Sequence, residues 1–366
     1  YRALFTGGCI LLFVFVLVGQ PRDVSKDGLK PETIVAPGLQ SPSTTSAMKL
    51  FGDILDKQID YCSHSGPFQS VMKVGNDDFS INLQLVDGMR TGGSVYSLYA
   101  LMPDQSGMGK DIVSDHIAFN KEWESGEISW LLDKLDAFAK KKKLPRSEVF
   151  VIDIGANIGT WSFPIAAAGY QVLAFEAMDV NQKSLQYSFC VNIPESAPQL
   201  KKNLVLFNTG LGKEKAVCNV FSDPANMLDG LVSCTQEEPP FSYLKWRQHL
   251  DIARLDDVLG KNLNKLVGKV GAVKMDTEGM EPWVIEGAKK FFKKVAPKYF
   301  VTELNEAALK ASTNYSAMDF INQILSLGYE MRTGGFDKPA WTKDMIKSEF
   351  GIESDKHLLN LYMIHR

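Results

Sequence analysis

The run Val151-Ile152-Asp153-Ile154-Gly155-Ala156-Asn157-Ile158-Gly159-Thr160-Trp161 constrains this chain more than any other segment. An apolar stretch ends in an acid, turns through two glycines and opens an apolar helix. Further on, Leu173-Ala174-Phe175-Glu176 repeats the apolar-to-acid ending. Consecutive strands that end this way present a nucleoside at the carboxyl edge of a parallel α/β sheet.

The loop chemistry narrows the ligand. A dinucleotide site needs Gly-x-Gly-x-x-Gly so that the backbone can approach a pyrophosphate. Here Asn157 stands at the second glycine and Thr160 at the third, and a Cβ at the second position obstructs that approach. No Gly-x-x-x-x-Gly-Lys-Ser/Thr phosphate loop occurs, which argues against a nucleoside triphosphate. S-adenosylmethionine carries no phosphate. Asp153, Gly155 and Gly159 suffice for the close turn beneath it, with Ala156, Asn157 and Thr160 completing the loop. Glu176 then takes both ribose hydroxyls in a bidentate hydrogen bond. Each bond to a charged group contributes about 1.5–3 kcal/mol.

Element order supports the same architecture. Apolar runs at 149–154, 171–175, 204–208, 270–275 and 299–304 alternate with helical patterns at 159–168, 180–191, 281–292 and 317–327. This alternation predicts a mostly parallel sheet covered on both faces. Two closing strands near 329–332 and 359–364, with no helical pattern between them, predict an antiparallel pair at one edge. A hairpin pattern around 216–221 interrupts the series. Ahead of it lie a helix over 50–61, strands over 79–85 and 95–101, and a helix over 124–142. That last helix has Ile128, Leu131, Leu132, Leu135 and Phe138 on one face. It ends in Lys140-Lys141-Lys142-Lys143, which suits a solvated helix terminus better than a polyanion site.

Between Val151 and about Glu306 the chain resembles the FkbM family of S-adenosylmethionine-dependent methyltransferases. The resemblance rests on Asp153 to Gly159, Ala174 to Ala177, Arg254-Leu255-Asp256-Asp257-Val258, Lys274-Met275-Asp276-Thr277-Glu278-Gly279-Met280-Glu281, and Val301-Thr302-Glu303-Leu304. These motifs stand in the family's order and cover under half the chain. Asp115-His116 and Glu122-Trp123-Glu124 resemble the lead-in that closes over the cofactor. Ala177-Met178 departs from the family's Glu-Pro, which weakens detail at the adenine pocket. The resemblance implies an α/β fold of the class I methyltransferase (Rossmann-like) type: seven strands, mostly parallel, with an antiparallel last strand. It further implies that Ala177, Asn208 and Thr209 approach the adenosine, and that Asp276 and Glu278 face the methyl group and the acceptor.

Methyl transfer to an alcohol needs alignment and a base. Two clustered carboxylates raise one another's proton affinity, so Glu278, or in second place Asp276, is expected to receive the hydroxyl proton. The plainer alternative has Glu278 capping the next helix and Asp276 binding the methionine amino group. Asp276, Glu303 and Asn305 form an oxygen set compatible with a divalent cation, but strand-end carboxylates are common without metal and none is assigned. The expected activity is O-methylation of a glycan or other polyhydroxylated acceptor. Trp123, Trp161, Trp246 and Trp283 offer stacking surfaces for a sugar, although core packing is the commoner fate of tryptophan. The rival is an inactive scaffold that keeps the fold, against which the intact motif residues argue.

Residues 3–18 are almost all apolar behind Arg2. About 16 helical residues span roughly 24 Å, somewhat short of a bilayer core. Leu17-x-Gly19 is a poor cleavage site. An uncleaved signal anchor over 1–20 is therefore expected over a cleaved signal peptide. A Pro/Ser/Thr-rich disordered stalk is expected over 21–48, a lead-in over 49–146 and the methyltransferase domain over 147–366. This layout predicts a single-pass protein of the Golgi or endoplasmic reticulum with a lumenal catalytic domain, or else a secreted one. Asn314-Tyr315-Ser316 is a compatible glycosylation sequon. The net charge of -3 leaves no electrostatic footprint for nucleic acid. The five cysteines show no zinc spacing. They read as buried or free thiols, with a Cys218–Cys234 bridge left open.

Overall fold

The computed structural model describes residues 46–64, 71–73, 80–102, 110–192, 200–352, 354 and 357–366. The anchor expected over 1–20 lies outside these residues. So does the stalk up to residue 45, because helix α1 (Ser46–His64) already begins within its expected bounds. Among the described residues, no helix is long and apolar enough to cross a membrane.

Strand β1 (Val71–Lys73) and the hairpin β2 (Ser80–Thr91) and β3 (Ser94–Met102) form a three-stranded antiparallel sheet. Helices α2 (Ile112–Asn120) and α3 (Ser125–Lys142) follow. The expected apolar face of α3 is buried. The sequence reading missed α2; its start is fixed by Asp111, whose carboxylate accepts the Ser114 N–H at 2.7 Å.

The core then alternates as β4 (Phe150–Ile154), α4 (Ser162–Ala167), β5 (Gln171–Glu176), α5 (Asp179–Asn192), α6 (Leu200–Asn203) and β6 (Leu204–Asn208). A second sheet of four strands interrupts it, made of β7 (Gly210–Leu211), β8 (Ala216–Asp223), β9 (Asn226–Ser233) and β10 (Lys245–Ala253). The short helices α7 (Leu255–Leu259) and α8 (Leu263–Leu266) lead to β11 (Val270–Met275), α9 (Glu281–Gly287), α10 (Lys289–Lys294) and β12 (Tyr299–Asn305). The chain closes with α11 (Glu306–Thr313), α12 (Ala317–Ser326), β13 (Tyr329–Thr333), α13 (Lys343–Phe350) and β14 (Leu358–His365). Helix α13 corrects the expectation that nothing helical separates the last two strands. It is short and mostly polar, with only Ile346 and Phe350 buried, so its period is faint in sequence.

The central sheet has seven strands in the order β13-β14-β12-β11-β4-β5-β6. β12, β11, β4, β5 and β6 pair in parallel, and β14 runs antiparallel to both β12 and β13. Every residue of β4, β5 and β11 is buried, as expected for parallel strands covered on both faces. The chain winds from β4 out to β6, then returns to β11 on the other side of β4. That reversal makes a crevice at the carboxyl ends of β4 and β11.

The lead-in fastens to this core through side chains. On β3, Ser97 N donates to Asn192 Oδ1 at 2.9 Å and Tyr99 N to Ser188 Oγ at 2.7 Å, both acceptors on α5. On α1, the Gln58 amide meets the outer edge of β6. Its Nε2 donates to Leu204 O at 3.3 Å and its Oε1 accepts Leu206 N at 3.0 Å. One turn along, a disulfide joins Cys62 of α1 to Cys190 of α5, and a second joins Cys218 to Cys234. The free-thiol reading is thus overturned for Cys62 and Cys190, and the Cys218–Cys234 bridge that the sequence left open is formed. Cys62 and Cys190 lie 128 residues apart, so their proximity had no signature in spacing. Because the bridge closes so long a loop, Cys190→Ser should lower unfolding free energy by about 2–5 kcal/mol. Denaturant titration of the oxidised wild type and the variant measures the difference, and equal midpoints would mean that the bridge adds nothing.

Candidate functional site

A cleft of about 660 Å³ opens at the crevice, walled by the loops after β4, β5 and β11 and by β9 and β10. The loop after β4 turns sharply. Gly155 N and Ala156 N both donate to Phe175 O, at 3.0 and 2.9 Å. Gly155 has φ +76°, and a Cβ there would come within 1.7 Å of Asp276 O. Only glycine lets the β4 and β11 loops touch in this way. Gly159, at φ +95°, is required by packing as well, since its Cβ would meet the Phe163 ring at 2.5 Å. Asn157 adopts φ 51°, a left-handed conformation that asparagine tolerates better than most residues. Its N–H then points at Glu176 Oε2, 2.8 Å away.

Glu176 ends β5 inside the cleft wall. Its Oε1 accepts Ala177 N at 2.9 Å and Met178 N at 2.8 Å, with Asn181 Nδ2 at 3.4 Å. Burial pushes its pKa up to about 7 against the pull of these backbone donors. Oε1 is committed to the protein, and Oε2 carries the single Asn157 donor. The expected bidentate grip on two hydroxyls therefore narrows to the free lone pair of Oε2.

Asp153 is wholly buried below the cleft rather than in its wall. Its Oδ2 accepts Ser162 Oγ at 2.5 Å, and Lys274 Nζ lies 3.8 Å from Oδ1. Lys274 stands beside Asp153 on β11. It donates to Gly155 O at 2.7 Å and lies 3.4 Å from Asp276 Oδ2. Burial works against its charge, yet Asp276 and Asp153 hold its proton above the ordinary lysine range. Lys274 thus ties the glycine loop to the acid end of β11.

Of the residues singled out in the sequence, Gly155, Asn157, Glu176, Ala177, Thr209, Asp276 and Glu278 line the cleft. Asp153, Ala156, Gly159, Thr160 and Asn208 do not. Ala156 and Thr160 are buried in the loop, and Asn208, paired with Glu176 across β6, is exposed. Thr209 turns inward, its hydroxyl donating to Gly210 O at 3.1 Å. None of Trp123, Trp161, Trp246 and Trp283 is in the wall. Trp161 instead donates to Glu124 Oε2 at 2.6 Å. Glu124, from the lead-in, is pushed up to about 7 by burial despite that bond.

The β9 and β10 walls were not foreseen. Leu228, Val232 and Ile252, with Met178 from the β5 loop, give the cleft an apolar side. Asp229 faces Glu278 across it, held by Asn226 Nδ2 at 2.9 Å. Glu278 sits at φ 52°. Burial first, then Asp229, Glu303 and Asp276, raise its proton affinity well above the ordinary carboxylate, and Asp229 is raised by its own burial. Each carboxyl raises or tempers the proton affinity of the other, so a proton on one of them relieves the repulsion of the pair. Glu278 does not cap α9. That local role belongs to Glu281, whose Oε1 accepts Thr277 N at 2.7 Å. Asp276 is partly exposed, but its Oδ1 is buried with no hydrogen-bond partner in the protein.

Residues 153–331 match the model of the methyltransferase FkbM domain. No curated protein matches the chain. Among solved structures, magnesium protoporphyrin IX methyltransferase from Synechocystis PCC 6803 with bound SAM is 11% identical; the match covers 70% of this chain and 84% of that one at TM-score 0.33. The METTL16 methyltransferase domain is 11% identical, covering 72% and 75% at TM-score 0.33. Likeness this distant carries no weight for acceptor or mechanism.

Proposed function

With residues 153–331 forming an FkbM methyltransferase domain and S-adenosylmethionine as the cofactor of this methyltransferase, we propose that the enzyme methylates a hydroxyl of a glycan or other polyhydroxylated acceptor. The observation that carries this reading is the Glu278–Asp229 pair: two neighbouring carboxyl residues in the cleft wall, Glu278 on the loop that follows β11 and raised in proton affinity by burial first and then by Asp229. An amine acceptor can lose its proton to solvent before it reacts. A hydroxyl needs a base at the moment of transfer.

The residues fit the cofactor. The free lone pair of Glu176 Oε2 suits a ribose hydroxyl, and Met178, Leu228, Val232 and Ile252 suit a flat base beside Thr209. The unpartnered Asp276 Oδ1 suits the amino group of the methionine portion. When bound, S-adenosylmethionine supplies an electrophilic methyl on a sulfonium that leaves without an acid. The protein's own work is alignment and proton removal. Glu176, Asn157 and the Gly155 turn hold the donor, while Lys274 fixes the Gly155 carbonyl and so the turn's pitch. Glu278 takes the acceptor's hydroxyl proton as the new O–C bond forms and the C–S bond breaks. Alignment contributes on the order of 7–11 kcal/mol and a base about 3–5 kcal/mol, so the cofactor seat dominates. Asp153, Ala156, Gly159 and Thr160 act beneath that seat by keeping the loop in shape.

We further assign the enzyme to the lumen of the secretory pathway, held by a single-pass anchor over residues 1–20. Support comes from the apolar run at 3–18, from the exposed Asn314 sequon, and from two disulfides, which persist in oxidising compartments. The test is transfer of labelled methyl from S-adenosylmethionine to separate panels of glycans, lipids and proteins. Label in an alkali-stable methyl ether on a glycan is expected. Label confined to protein nitrogen or to lipid would overturn the acceptor assignment.

A further inference from the structure

We infer that Ser312, in the last turn of α11, is a positioning residue that holds Glu278 in the posture proton removal requires. This role rests on the reading of Glu278 as the base. The Glu278 backbone is strained. It sits at φ 52°, with Gly279 beside it at φ 96°, two consecutive left-handed residues. A residue with a long side chain enters that region at a cost and stays only where its surroundings dictate it, which happens most often at active sites. The strain serves no helix cap, because Glu281 takes the Thr277 N–H ahead of α9.

Helix α11 does the dictating. A Cβ at Gly279 would come within 2.2 Å of Ala308 O and 2.9 Å of Leu309 N, so the turn lies directly on the helix backbone. One turn further along, the buried hydroxyls of Ser312 and Thr313 face the same two residues. Ser312 Oγ donates to Glu278 O at 3.3 Å. Thr313 Oγ1 lies 3.3 Å from Gly279 O but 2.8 Å from Leu309 O. A hydroxyl has one proton to give, and the shorter bond within the helix takes it. Ser312 is therefore the side chain whose hydrogen bond crosses to the Glu278 carbonyl and opposes relaxation of the turn. The same helix packs against β9, which carries Asp229, and follows directly on β12, which carries Glu303. It thus borders every element that brings a carboxyl to Glu278 from outside its own loop.

The test needs no acceptor. Infrared titration of the purified protein, with the Glu278→Gln spectrum subtracted to isolate the Glu278 carboxyl band, reads the protonation midpoint of that residue. The charged groups facing it are Asp229 from β9, Glu303 from β12 and Asp276 from its own loop, and the variants leave all three in place. Ser312→Ala should move the midpoint down toward the usual carboxylate range by about one pH unit, tenfold in proton affinity, as the turn slackens and water reaches the carboxyl. S-adenosylmethionine affinity, measured by calorimetry on the same variant, should stay within about threefold of wild type, since a single neutral hydrogen bond remote from the cofactor is lost; this also certifies the fold. Thr313→Val serves as the control for a purely structural loss. It should lower the unfolding temperature by removing the Leu309 bond, yet leave the midpoint where it is. An unmoved midpoint in Ser312→Ala, or an equal shift in Thr313→Val, would overturn the positioning role while sparing the base. A wild-type midpoint already in the usual range would instead remove Glu278 as the base, and the role of Ser312 with it.

Discussion

Glu176→Ala is expected to weaken S-adenosylmethionine binding by about a hundredfold or more. Two losses combine. The hydrogen bond offered by Oε2 to a ribose hydroxyl is charge-assisted and contributes about 1.5–3 kcal/mol. The carboxylate also gathers the N–H groups of Asn157, Ala177 and Met178. Without it these donors lose their acceptor, at about 1–3 kcal/mol for each that stays buried. Part of that second cost falls on the free protein and appears as lowered stability rather than weakened binding. Calorimetric titration beside thermal unfolding separates the two. An affinity within threefold of wild type would remove Glu176 from the cofactor seat.

Glu278→Gln should lower kcat by about 10²- to 10⁴-fold, the usual contribution of a positioned base, while leaving cofactor affinity near wild type. Its pH signature is specific. Burial and the neighbouring carboxylates raise its proton affinity, so the group is protonated, and inactive as a base, over a pH range where an ordinary glutamate has already ionised. Wild-type kcat should therefore climb with pH along a limb centred above the usual carboxylate range near pH 4.5. That limb should vanish in the glutamine variant. Wild-type turnover by the variant at saturating cofactor would exclude Glu278 as the base.

What could be read from the sequence followed from how locally each feature is encoded. The Asp153–Thr160 turn and the Glu176 strand end sit in contiguous runs whose residue types carry the conformation, so the crevice between β4 and β11 was legible. Asn157 reads in sequence as an obstacle to a pyrophosphate; its left-handed backbone and its aim at Glu176 emerge only in three dimensions. The role of Asp153 was displaced by burial: an acid at a strand end looks like a ligand, but this one lies beneath the loop, bound to Ser162. Asp229 left no trace because Leu228-Asp229-Gly230 becomes a cleft wall only after β9 pairs with β8. Lys274 did leave one. A lysine inside the apolar run Val270 to Met275 must find acids nearby, and it finds the buried Asp153 and the partly exposed Asp276. The Cys62–Cys190 pairing depends on α1 crossing β6, which no local pattern announces.

Gln58 has a consequence beyond the site. A primary amide offers one donor and one acceptor at nearly the spacing of a peptide group, so this single side chain impersonates a short length of neighbouring strand along β6. The last rung of the sheet is thereby closed to other chains without a full extra strand. A protein trimmed behind α1 would keep its catalytic crevice yet bare a ribbon of unpaired amides, inviting a second molecule to dock there.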